Sequence, residues 1–263
     1  NKGKSIGFIP TMGALHQGHI ALVELSKQKS DISICSIFVN PIQFNKQSDF
    51  SNYPKTMQTD LAQLEAAKCD LVFCPSVEEM YPQKSTKEFD FGSLATAMEG
   101  EHRPGHFNGV AVVIERFLRI INPDVAIFGE KDFQQLAVVT ELAKQIGSKT
   151  KIVGAPTVRE SSGLAMSSRN LRLTEEEKHA AAQISKELKF ISISKNKFSP
   201  KELKINYKSK IDSNPFLATE YIEIADGFTL QSINNWEDSE YPIVFTAVNV
   251  GEVRLIDNMT IIN

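Results

Sequence analysis

The stretch IGFIPTMGALHQGH, residues 6–19, decides how this chain folds. A short apolar run holding Ile6, Phe8 and Ile9 is broken at Pro10, and a turn of small residues (Thr11, Met12, Gly13, Ala14) follows. Next come His16-Gln17-Gly18-His19, and then an apolar pattern of helical spacing through Ile20, Leu22, Val23 and Leu25. Strand, turn and helix N-terminus in that order present unpaired backbone N–H groups and the positive end of a helix dipole to an anion. The spacing of His16 and His19 puts both rings in one pocket if His19 lies in the first helical turn. There the imidazoles can donate hydrogen bonds to phosphate oxygens and, if charged, stabilise negative charge growing on them. The competing reading is two surface histidines beside a turn.

Working outward, residues 32–39 (ISICSIFV) are almost continuously apolar, as expected of a parallel strand covered on both faces. Asn40-Pro41 ends that strand, and Gln43 sits just beyond its carboxyl end, where open α/β sheets bind ligands. An amide that both donates and accepts suits a substrate with hydroxyl and carboxylate groups. Residues 45–59 are polar and turn-rich, 60–67 read as a short helix, and 71–73 as a strand. Residues 76–98 look irregular, with a charged loop around Lys84 and Glu88. Residues 99–109 (EGEHRPGHFNG) are expected to be a loop, in which Arg103 could clamp a phosphate or carboxylate.

Residues 110–121 (VAVVIERFLRII) predict a helix, and 125–128 a fourth strand that ends at Gly129-Glu130-Lys131-Asp132 before a helix over 133–146. Here again a strand's carboxyl end meets a helix. Lys131 can reach a phosphate, Asp132 a ribose hydroxyl, and Gln135 can face the same pocket. With a further strand at 151–153, the repeats describe a doubly wound parallel α/β domain.

The pattern changes near Pro156. Residues 157–173 form a Gly/Ser-rich loop carrying Arg159, Arg169 and Arg172, in which Ser167 and Ser168 can donate to phosphate oxygens and Arg169 can bind them bidentately. A capping signature, Thr174 with Glu177, opens a helix over 174–190. Eight lysines lie between 186 and 210, read as a solvated face because neither arginines nor an aromatic platform accompany them. Strands are expected at 221–225, 243–250 and 253–256, the last two as a hairpin. The division expected is therefore residues 1–157 as the α/β domain and 158–263 as a smaller α+β domain.

Composition limits the alternatives. The 263 residues are 41% hydrophobic and 23% charged, which is ordinary for a globular protein. A net charge of −3 argues against nucleic acid as the main partner. No apolar run is long enough for a bilayer, and no secretory leader pattern stands at the start. Cys35, Cys69 and Cys74 form no CxxC pair, so a reduced, cytoplasmic setting is expected.

The ordered motifs PTMGALHQGH, SIFVNPIQF (36–44), GEKDFQQL (129–136), MSSRN (166–170) and RLIDN (254–258) resemble the pantothenate synthetase family, within the nucleotidyltransferase superfamily. That resemblance implies a Rossmann-like first domain, a C-terminal lid domain and a homodimer. It implies the ATP-dependent condensation of pantoate with β-alanine through a pantoyl adenylate, releasing pyrophosphate and AMP. Matched by motif, Met12, Gly13, Ala14, Leu15, His16, Gln17, Gly18 and His19 would line the ATP site. Gly129, Glu130, Lys131, Asp132, Val158, Met166, Ser167, Ser168 and Arg169 would complete it. His19, His16, Lys131 and Arg169 would be catalytic, His19 being the residue usually called the proton donor, and Gln43 and Gln135 would bind the substrates pantoate and β-alanine. MSSRN would be the counterpart of the mobile signature loop of class I tRNA synthetases. ATP implies Mg²⁺, held mainly by phosphate oxygens, with Asp60 as a candidate carboxylate ligand. Three features depart from the family pattern: little sequence ahead of the first strand, Arg116 in place of the common lysine, and Phe133 for tyrosine.

Two other functions fit parts of this pattern. One is adenylyl transfer to a phosphorylated acceptor, against which the neutral Gln43 and Gln135 stand. The other is a catalytically silent nucleotide binder, against which the presence of His19, Lys131 and Arg169 stands.

Overall fold

A computed structural model describes residues 3–44, 50–51, 53–83 and 87–262. Residues 45–49 and 52 of the polar stretch, and 84–86 of the charged loop, lie outside the described residues. The chain divides into two compact units, Asn1–Pro156 and Thr157–Asn263.

The first unit is a five-stranded parallel sheet of order β3-β2-β1-β4-β5. Its strands are β1 (Ile6–Thr11), β2 (Ile32–Ile37), β3 (Leu71–Phe73), β4 (Val125–Gly129) and β5 (Lys151–Ala155). Both faces are covered, and side-chain alternation divides the core between them. Phe8 and Ala126 face one way and pack with helix α5 (His106–Ile121) and helix α6 (Phe133–Gln145), through Phe117, Val138 and Leu142. Ile9 and Ile127 face the other way and pack with α1 (Gln17–Lys29) and α2 (Met57–Ala66), through Leu22, Val23 and Leu64. The doubly wound parallel reading is therefore correct.

Two details differ from expectation. The stretch 99–109 is largely helical: α4 (Glu99–His102) is a single turn, and α5 begins at His106 rather than Val110. Gly105, at φ +80°, makes the entry to α5, a conformation that costs glycine little. Within 76–98, Ser76 and Glu79 form a capping box that starts the single turn α3 (Val77–Met80). Arg116 of α5 donates to the Glu79 carbonyl closing that turn, at 3.3 Å.

The second unit is an antiparallel sheet of order β6-β7-β8, formed by Leu217–Asp226, Pro242–Val250 and Val253–Thr260. The last two make the expected hairpin, closed between Val250 and Val253 with Gly251 at φ +53°. Helices α7 (Glu175–Ser192) and α8 (Pro200–Asp212) share a core with this sheet that includes Ile184, Leu188, Leu203, Tyr207, Val244 and Val248. The sequence reading missed α8, although Ser199-Pro200 followed by Glu202 is a capping box with proline at the first helical position. Several lysines of this segment pair with carboxylates: Lys204 with Glu223 at 2.8 Å, Lys208 with Asp212 at 3.3 Å, and Lys210 with Glu187 at 2.9 Å. Among the described residues no helix is long and apolar enough to cross a membrane.

One close approach inside the first unit sets a limit on substitution. A Cβ on Gly109 of α5 would lie 2.5 Å from the Ile42 carbonyl oxygen and 2.7 Å from Gln43 Cα. Backbone cannot yield as a flexible side chain would. Gly109→Ala should therefore destabilise the first unit by about 1–3 kcal/mol, the usual range for overpacking. Urea denaturation followed by circular dichroism reads this directly, and an unchanged midpoint would show that the turn is free to shift.

Candidate active site

β1 is central and pairs in parallel with both β2 and β4, so the sheet reverses its winding between β1 and β4. Crevices for ligands open beyond the carboxyl ends of strands at such a switch point. The segment 12–16 follows β1, and the single 3-10 turn Glu130–Asp132 follows β4. They lie within the PTMGALHQGH and GEKD stretches singled out from sequence.

The turn after β1 is held by polar contacts. Gly13 has φ +80° and Ala14 φ +50°. A side chain on Gly13 would meet Asp60 Oδ2 at 2.9 Å. Asp60, 1% exposed, accepts from Ala14 N at 3.0 Å and from Leu15 N at 2.8 Å, while Thr56 Oγ1 donates to both of its oxygens at 3.1 Å. Asp60, the candidate carboxylate ligand for the Mg²⁺ of MgATP, is thus placed directly under the turn that follows β1. Its carboxylate faces the turn and anchors it through backbone and hydroxyl donors. Among the described residues no three His, Cys, Asp or Glu side chains gather as a cation site.

The two histidines cap α1 reciprocally. His16 is the N-cap, and its Nδ1 accepts from Gly18 N at 3.1 Å. His19 Nδ1 in turn accepts from His16 N at 3.2 Å. The ring centroids lie 4.1 Å apart. A nitrogen that accepts from a backbone N–H carries no proton, so each neutral ring bears its hydrogen on Nε2. Both therefore offer an Nε2–H donor beside a helix N-terminus whose first turn holds no acidic residue. Burial, then Lys131, lowers the pKa of His16 to about 4; burial, then His16 and Lys131, lowers that of His19 to about 3. These rings are uncharged at neutral pH. Lys131 supplies the positive charge, with Asp132 Oδ1 3.7 Å from its ammonium.

Gln43 is buried, and its Nε2 lies 2.9 Å from Met12 Sδ in the turn after β1. The Gln43 backbone carbonyl accepts from His106 Nδ1 at 2.9 Å, and His106 Nε2 faces Arg103 at 3.1 Å. Burial and the Arg103 charge lower the His106 pKa to about 4. Arg103 thus works in a scaffold around Gln43 and also lies 3.9 Å from Glu99. Gln135 is half-buried on α6. Its neighbour Gln134 is a clamp: it donates to the Leu94 and Ala97 carbonyls and accepts from Glu99 N.

In the second unit, residues 158–166 form a tight antiparallel turn instead of an open loop, with Arg159 bridged to Ala165 and Met166 N donating to the Val158 carbonyl. Arg159 makes a bidentate pair with buried Asp257 at 2.7 and 3.0 Å. Ser167 caps the following 3-10 turn, Ser168–Arg172, by accepting from Arg169 N. Buried Asn170 braces it by donating to Glu160 and to the Ala165 carbonyl. Asp257 and Asn170 were noted only inside motifs; nothing in their local spacing marks their partners.

The histidine pKa values set a pH dependence of stability. Folded rings that stay neutral to about pH 4 face an unfolded chain whose histidines take up protons below roughly pH 6.5. This contribution is complete above pH 6.5 and is lost progressively as pH falls toward 4. Denaturation midpoints should drop between pH 7 and 5, and less so in His19→Gln. Imidazole ¹⁵N spectra at pH 7 should show both rings as Nε2–H tautomers; a doubly protonated ring would overturn the assignment.

Comparison with known proteins identifies the family. The family model described as pantoate-beta-alanine ligase matches residues 1–260. A pantothenate synthetase of Azobacteroides pseudotrichonymphae is 50% identical over 260 residues, covering 98% of this chain and 93% of the relative. One from Porphyromonas gingivalis is 46% identical, covering 98% and 92%. The crystal structure of pantothenate synthetase from Thermus thermophilus superposes with a TM-score of 0.93 at 38% identity, covering 98% and 94%. That of pantoate-beta-alanine ligase from Francisella tularensis, complexed with beta-gamma ATP and beta-alanine, gives 0.81 at 36% identity, covering 98% and 90%. A parallel sheet with phosphate-suited turns at its switch point, a small antiparallel second unit and full-length matches to one family leave a single conclusion: the chain belongs to the pantoate-beta-alanine ligase family, enzymes that form an amide bond.

Proposed function

We propose that the chain carries out its family's ligation of pantoate with β-alanine in two half-reactions on one nucleotide. In the first, a pantoate carboxylate oxygen attacks the α-phosphorus of ATP in line; the P–O bond to the β-phosphate breaks, giving pantoyl adenylate and pyrophosphate. In the second, the neutral amine of β-alanine attacks the acyl carbon; AMP leaves with the electron pair of the C–O bond, and the amine gives up a proton. The observation that carries this reading is the reciprocal capping of His16 and His19, which leaves two neutral Nε2–H donors at a helix N-terminus.

In this assignment His16 and His19 donate to phosphate oxygens, and Lys131 balances charge developing on the α- and β-phosphates. A carboxylate nucleophile needs no general base, and a ring with a pKa near 3 is a hydrogen-bond donor rather than a proton reservoir. Met12 through Leu15, Gln17 and Gly18 belong to the ATP contacts, as do Gly129, Glu130 and Asp132. In the second unit Val158, Met166, Ser167, Ser168 and Arg169 are assigned to ATP by motif. Gln43 and Gln135 are assigned to pantoate, with Gln43 also near β-alanine. Mg²⁺ enters as part of the MgATP substrate, on phosphate oxygens. A lid role for the second unit, a homodimer and a cytoplasmic setting belong to the same proposal and follow from the family resemblance.

The test is pyrophosphate release from MgATP with pantoate, with and without β-alanine, following AMP alongside. About one equivalent of pyrophosphate with pantoate alone, becoming sustained turnover with AMP once β-alanine is added, is the expected result. Release that ignores pantoate would redirect the search to phosphorylated acceptors. His19→Ala should reduce kcat for adenylate formation by about 10²–10³, the scale of losing one aimed donor, and Lys131→Ala should act similarly. Gln43→Ala should mainly raise KM for pantoate.

A further inference from the structure

The amide of Gln43 has two ends, and the structure fixes which one faces Met12 in the turn after β1. The Gly109 carbonyl can only accept, so the end of Asn40 lying 3.1 Å from it is the NH₂. That same nitrogen lies 3.0 Å from Gln43 Oε1, which is therefore the accepting end of Gln43. Gln43 Nε2 then points the other way, toward Met12. Asn40 is 1% exposed, so its remaining Oδ1 needs a donor. Tyr81 provides it, donating its phenol O–H to Asn40 Oδ1 at 2.8 Å.

We propose that Tyr81 is a positioning residue for the substrate acid: its O–H locks the Asn40 amide, and Asn40 locks Gln43 with the NH₂ end presented to substrate. The inference rests on the assignment of Gln43 to pantoate. It adds a relay that starts from a tyrosine outside the motif, and a chemical selectivity. An NH₂ end so presented binds an oxygen acceptor, such as a carboxylate, and disfavours a group that can only donate. Tyr81 is held for this task by packing, its ring 6.2 Å from that of Phe38. Burial keeps the phenol protonated well beyond neutral pH, against a smaller opposing effect of the Arg116 charge. Without the O–H, Asn40 Oδ1 is orphaned, and rotating the Asn40 amide relieves that at the expense of Gln43's orientation.

Tyr81→Phe keeps the ring and removes only the donor. In the pyrophosphate-release assay KM for pantoate should rise about five- to tenfold, the scale of one buried hydrogen bond, with KM for ATP unchanged. In a Gln43→Ala background the same substitution should add nothing, because its effect passes through the Gln43 amide. Equal effects on both substrates, or an additive effect on Gln43→Ala, would reduce Tyr81 to a packing residue. A second readout needs no turnover: the side-chain ¹H–¹⁵N resonances of Asn40 and Gln43 should both shift in Tyr81→Phe and stay in place in Tyr241→Phe, which alters the second unit. Unmoved amide signals in Tyr81→Phe overturn the proposal. If the unaltered protein releases no pyrophosphate in response to pantoate, the proposed function fails instead, while the amide signals still decide whether Tyr81 governs Gln43.

Discussion

Parallel pairing of β1 with β4 is the constraint on which the first unit's site depends. It brings together two strand ends separated by more than a hundred residues of chain, each followed by a turn and a helix. A helix start alone is a modest anion site. Two of them beyond adjacent strand ends would direct N–H groups and dipoles at one ligand, which is the basis of the proposed site. The pairing holds because both faces of the sheet are covered. Phe8 and Ala126 belong to one core cluster, Ile9 and Ile127 to the other, so a one-residue slip would exchange the two sets.

At these turns the protein favours hydrogen bonding over stored charge. Each histidine uses Nδ1 to satisfy a backbone N–H that α1 would otherwise leave unpaired, and so keeps Nε2–H available. Burial and Lys131 suppress protonation of both rings, leaving lysine as the cation. Asp60 performs the matching task for the turn, taking the Ala14 and Leu15 N–H groups. A carboxylate so placed fixes a turn that contains a non-glycine residue at φ +50°, an arrangement that needs support from its surroundings.

The second unit, too, holds buried charge through a specific partner. The Arg159–Asp257 pair joins residues 98 positions apart, and Asp257 is buried. Bidentate geometry satisfies both charges, which matters because either one alone would be costly inside. The basic face of α8 is similarly balanced, since Lys204, Lys208 and Lys210 each meet a carboxylate.

Features that depend on near neighbours could be read from the chain alone. Apolar alternation and run length identified the five parallel strands, and the strand–turn–helix order at 6–19 and 125–146 located both candidate phosphate turns. The missed or misread parts fall into two kinds. Helix α8 and the turn at Glu99–His102 had local signals that a lysine-rich composition and a Pro-Gly pair obscured. The rest had no local signal. That Asp60 anchors a turn, that Arg159 meets Asp257, that Tyr81 reaches Asn40 and that both imidazoles stay neutral depend on groups brought together only by folding. Hydrogen-bond direction, tautomer and desolvation are properties of the assembled surroundings, and for these residues those surroundings come from distant parts of the chain.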